Sequence, residues 1–110
     1  MFRSVVCVVV VLAWAGLAAA ADDAKVTKGT QVYADQKCAL CHSIGEKGNK
    51  KGPLDGVATK YSVDDLRAWI VDAKGMTVKT KAPRVPAMKN YALPKEDVYA
   101  LVAYMATLKK

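Results

Sequence analysis

The stretch Cys38-Ala39-Leu40-Cys41-His42 constrains this chain more than any other. Two thiols stand with two residues between them, and the only histidine of the chain follows at once. That order is an attachment pattern for a c-type haem. On a helix, positions i, i+3 and i+4 share one face. Cys38 and Cys41 can therefore form thioethers to the two haem vinyl groups, while His42 lies under the iron and offers a neutral imidazole nitrogen. A zinc site takes about four ligands, and no second Cys/His pair is present. A redox-active Cys-X-X-Cys is the remaining alternative, but it expects a βαβ setting and no strand pattern is visible. A plain disulfide would leave His42 without a role.

Residues 1–21 have the plan of a secretory signal peptide. Arg3 supplies a positive start, Val5 to Leu17 is apolar, and Ala18 to Ala21 gives small residues suited to cleavage. The apolar run is short for a membrane span, although an uncleaved anchor is the alternative. Cys7 falls inside this leader. The expected organisation is a cleaved signal peptide over 1–21 and one domain over 22–110, with no membrane span in the mature chain. Such a mature chain is small for a self-sufficient core, and a covalently held haem would act as its staple.

The chain carries 17 Lys/Arg against 10 Asp/Glu, and loss of the leader removes only Arg3. The basic excess suits steering of an acidic protein partner. Nucleic acid is not expected, because the lysines are scattered and no aromatic-basic interleaving or recognition motif occurs.

A first helix is expected from about Val26 to Cys38, capped by Asp22, Asp23 or Thr27 and interrupted by Gly29. Ser43 to Lys60, with four glycines and Pro53 among its residues, reads as loop. Ser62-Val63-Asp64-Asp65 resembles a capping box. It precedes a helical spacing of Val63, Leu66, Trp69, Ile70 and Ala73, with Gly75 as the stop. Trp69 is expected in the core, or with its indole N–H on a haem propionate. Met76 to Leu93 reads as one long connection holding Pro83, Pro86 and Met88. Helix periodicity does not place Met88 there, so its thioether is free to serve as a ligand. A last helix is expected from Pro94 to Lys109, with the apolar stripe Val98, Leu101, Val102, Met105 and Leu108.

With these residues placed, the chain resembles the class I monohaem c-type cytochromes over nearly all of 24–109. The attachment motif lies near the mature N-terminus. Gly29 and Tyr33 are similar to the glycine and aromatic of that family's first helix, and Leu101 and Tyr104 to the pair on its last. The resemblance implies an all-α cytochrome c fold, three main helices with long loops packed around one covalently attached haem. It implies that the Pro53 carbonyl accepts a bond from His42 and orients it. It also implies that Met88, beside Pro86, is the sixth iron ligand opposite His42. Lys89-Asn90 follow Met88 where many relatives have Pro or Gly, and Met76 is the alternative ligand.

The function so implied is one-electron transfer in the bacterial periplasm by a non-enzymatic carrier, acting on redox protein partners as a monomer or as the cytochrome subunit of an oxidoreductase complex. Lys37, Lys47 and Lys89 are candidates for the docking surface. A five-coordinate gas-binding or peroxidatic haem is the competing class. It lacks a distal acid–base pair, because the only histidine is already used.

Overall fold

The computed structural model describes residues 12–110, with side chains from Asp22 onward. Five helices and one small hairpin follow in order: α1 (Leu12–Asp35), a 3₁₀ turn (Cys38–Leu40), β1 (Ser43–Ile44), β2 (Lys47–Gly48), α2 (Val57–Lys60), α3 (Val63–Val71), α4 (Ala73–Thr80) and α5 (Lys95–Met105). No helix among the described residues is long and apolar enough to cross a membrane. The expected leader lies outside the described residues over 1–11, Cys7 included.

The frame is the crossing of α1 on α5. On α5, Val98, Leu101, Val102 and Met105 recur at helical spacing and are all buried. They join Val32 of α1 and Leu66 and Ile70 of α3 in one apolar cluster. Gly29 sits at the crossing. A methyl there would run into the Ala100 carbonyl and lie 2.7 Å from Tyr104 Cβ. Tyr33, one turn on, meets Tyr104 edge to face at 5.8 Å, a favoured aromatic geometry. At the same crossing Lys28 reaches Asp97 at 3.3 Å and Glu96 at 3.6 Å. These two carboxylates also occupy the first turn of α5, where the helix dipole favours negative charge.

Several expected boundaries move. The first helix does not start near Val26 but continues from Leu12. The alanines between Leu17 and Lys25 favour helix and nothing there breaks it. Thr27 is no cap; its hydroxyl donates back to the Asp23 carbonyl at 2.9 Å. At the other end α1 stops at Asp35 instead of reaching Cys38, because Lys37 adopts a left-handed conformation (φ 57°, ψ 39°) that ends a right-handed helix. The expected loop 43–60 contains an antiparallel pairing, Ser43 with Gly48 and Ile44 with Lys47, and the short α2.

The second helix is capped as read: the Ser62 hydroxyl accepts from Asp65 N–H at 3.2 Å. Gly75 does not stop it. The break falls at Asp72 (φ −141°, ψ 53°), whose carboxylate accepts from Gly75 N–H at 3.2 Å and starts α4. Asp offers the backbone this alternative partner, which is why it favours helix starts over helix interiors. Gly75 leaves room for the cap, since a methyl there would stand 2.8 Å from the Asp72 carboxyl carbon. The expected connection 76–93 is thereby shortened to residues 81–94, and Met76 is buried in α4.

Candidate haem-attachment site

The attachment motif begins where α1 ends. After Lys37, Cys38 to Leu40 form a 3₁₀ turn, and the Cys38 carbonyl accepts from the N–H groups of Cys41 at 3.1 Å and His42 at 2.9 Å. The motif is thus a tight turn and not the α-helical face expected from the sequence. In a 3₁₀ turn residues i and i+3 eclipse, so Cys38 and Cys41 still fall on one side. Both thiols are free; Cys38 is half-buried and Cys41 exposed. Burial pushes the Cys38 thiol above its ordinary range; a backbone hydrogen bond opposes this and Cys41 adds to it.

Asn49 braces the turn. Its N–H donates to the carbonyls of Ala39 (3.1 Å) and His42 (2.9 Å), and its side-chain amide donates to Leu40 at 3.1 Å. The sequence marked this residue only as part of a glycine-rich loop.

His42 is half-buried, with Nδ1 3.0 Å from the carbonyl oxygen of Gly52. A carbonyl can only accept, so Nδ1 carries the proton in this contact and Nε2 keeps its lone pair. Burial holds the imidazole below its ordinary pKa; the Gly52 carbonyl opposes and the Arg84 charge reinforces that shift. The ring is therefore neutral near pH 7, the form that binds a metal.

The acceptor expected from the resemblance was the Pro53 carbonyl. The structure places the Gly52 carbonyl there instead. That carbonyl also accepts from Ser43 N–H at 3.1 Å, while the Ser43 carbonyl accepts from Leu54 N–H at 2.8 Å. Successive carbonyls of an extended stretch point to opposite sides, so Gly52 faces the histidine and Pro53, bridged to Ser43, does not.

Two buried donors have no partner: the Trp69 indole Nε1 on α3 and the Tyr33 hydroxyl on α1. Trp69 packs edge-on against Tyr61 at 6.2 Å. Burial, then the Cys38 charge, raises Tyr33 to about 12. Burial, then Cys38 and Cys41, also raises Tyr91. Tyr33 and Tyr91 therefore lie near the cysteine turn. A buried donor without a partner costs about 1–3 kcal/mol, which a ligand carrying acceptor oxygens would relieve.

Met88 is half-buried on the loop between α4 and α5. That loop is held to the body at three points. Asn90 Oδ1 accepts from Lys74 N–H at 2.9 Å, Tyr91 N–H donates to the Ile70 carbonyl at 2.9 Å, and Arg84 Nη1 donates to the Cys41 carbonyl. Arg84 carried no signal in the sequence, since its partner lies 43 residues away. Met76 and Met105 are buried, each 7% exposed. Among the described residues no group of three or more His, Cys, Asp or Glu could hold a bare metal ion.

A helical fold closing on a Cys-X-X-Cys-His turn with a neutral, oriented imidazole defines a c-type haem protein. Residues 26–109 match the family model for Cytochrome c, and the chain belongs to that family. The match agrees with the class I c-type cytochromes and with their all-α fold. Comparison with curated proteins and with solved structures gives no significant match. The family's cofactor is covalently bound haem c with its iron, and its general role is haem-based electron transfer between redox partners. The residues present fit that group: paired free thiols, an imidazole with a free lone pair, and two orphaned donors facing no protein acceptor.

Proposed function

We propose that this chain, exported and freed of residues 1–21, is a periplasmic one-electron carrier and not an enzyme. The observation that carries the reading is the His42 ring, held neutral with Nδ1 on the Gly52 carbonyl so that Nε2 is available as an axial ligand. Cys38 and Cys41 would hold the cofactor by thioethers, and Met88 would supply a second iron ligand from its braced loop. Bound haem supplies ferric–ferrous chemistry, one electron taken from a donor and passed to an acceptor. A thioether ligand would raise the potential, and ligation by both His42 and Met88 would leave no site open to substrate. Trp69 Nε1, buried and unpartnered, suits a propionate oxygen. Lys37, Lys47 and Lys89 are exposed and suit an acidic redox partner, whether the chain is a free shuttle or a subunit of a complex.

The test is made on protein expressed with haem-maturation machinery. One haem should survive acid-acetone extraction, titrate as a one-electron couple and bind carbon monoxide poorly. Extractable haem would overturn the attachment; ready binding of carbon monoxide would replace the carrier with a gas-binding or peroxidatic protein.

A further inference from the structure

Arg84 lies on the loop 81–94, four residues before Met88. Its Nη1 donates to the carbonyl of Cys41, 43 residues earlier in the chain and next to His42. The guanidinium fits a slot that Gly52 leaves open. A methyl on Gly52 would collide with Arg84 Nη1 and the Cys41 carbonyl, and would lie 3.1 Å from Arg84 Cζ. The same Gly52 presents its carbonyl to His42 Nδ1. One cation therefore stands where the methionine loop, the second cysteine and the support of the histidine meet. No carboxylate pairs with Arg84 among the described residues. Its partner among the described protein groups is the neutral carbonyl of Cys41.

We propose that Arg84 is a positioning residue for electron transfer, fastening the methionine loop to the cysteine–histidine turn and biasing the iron toward its ferrous state by its charge. The inference rests on the reading of His42 and Met88 as axial ligands. A fixed cation opposes the more positive ferric site, so the couple Fe(III) + e⁻ → Fe(II) shifts to higher potential. The tether resists loss of the thioether ligand. Lysine can supply the charge but not the planar fork of donors.

The experiment compares haem-loaded parent, Arg84→Lys, Arg84→Gln and Arg84→Ala. Equilibrium redox titration at neutral pH reads the charge. The far-red band that reports iron–thioether bonding, followed as pH is raised, reads the tether. Arg84→Gln and Arg84→Ala should lower the potential, while Arg84→Lys should keep it near the parent's. In Arg84→Ala the band should disappear about one pH unit earlier than in the parent, the shift expected of one charge-assisted hydrogen bond. Unchanged potentials and an unchanged band range in all three variants would overturn the proposal. If Arg84→Ala does not fold by circular dichroism, the lysine and glutamine variants decide through their potentials. A parent protein without the far-red band overturns the ligand reading instead. The Arg84 charge then stands or falls on whether Arg84→Gln lowers the potential.

Discussion

The Nδ1 of His42 stands 3.0 Å from the carbonyl oxygen of Gly52, ten residues along the chain. This contact selects the tautomer that leaves Nε2 free, and the residue that makes it has no room for a side chain. Gly52→Ala pushes a methyl into Arg84 and the Cys41 carbonyl. It should destabilise the haem protein by about 1–3 kcal/mol, the usual cost of overpacking. Guanidinium unfolding followed by haem absorbance measures it; an unchanged midpoint would show that the slot is not tight.

Gly29→Ala tests the crossing of α1 and α5. Helix propensity favours alanine by about 1 kcal/mol. The methyl nevertheless meets the Ala100 carbonyl and Tyr104 Cβ, so the variant should be less stable despite its better propensity. Equal or greater stability in urea would mean that the helices can move apart at little cost.

The three methionines of the domain should separate cleanly. Met88→Ala should remove the far-red band, lower the reduction potential and admit carbon monoxide. Met76→Ala and Met105→Ala should keep the band. Both side chains are buried, so each substitution should cost about 2–5 kcal/mol through the cavity left behind. Retention of band and potential in Met88→Ala would sink the ligand assignment.

Removal of the haem should unfold most of the mature chain. The domain is small, and among the described residues its apolar cluster holds seven buried side chains, while Tyr33 and Trp69 keep buried donors without partners. Binding that favours only the folded state stabilises it. Far-UV circular dichroism of protein made without haem attachment is the check; native-like helix content would show that the protein atoms suffice.

Tyr33 should titrate late. Burial, the first cause of its rise from 10.0 to about 12, does not depend on the cysteines being thiolates. Between those two values the unfolded chain has lost the phenolic proton and the folded one has kept it. Stability therefore falls as pH rises through this window. Ultraviolet titration of the haem-loaded protein against Tyr33→Phe identifies the phenol; a tyrosine released at the ordinary value would contradict its burial.

Much of this was written in short-range pattern. Cys38, Cys41 and His42 form a motif that spacing alone makes visible. The stripe Val98, Leu101, Val102 and Met105 needs only the helical repeat, and Ser62 caps the residues beside it. Gly29 and Tyr33 signalled a helix contact because a glycine inside a helix costs stability unless something approaches it closely. Such features depend on residues within a turn or two of one another, so the linear order contains them.

Other features depended on partners brought together from afar. That Gly52, and not Pro53, supports His42 follows from how the extended stretch aligns with Ser43, a register no local pattern encodes. The break at Asp72 required the side chain to choose a cap over a continued helix, with Asn90, sixteen residues on from Lys74, closing the same turn. Arg84 was an ordinary loop arginine until the fold set it against Cys41. Spacing along the chain specifies which groups can react, and long-range packing specifies which carbonyl, cap or cation each of them meets.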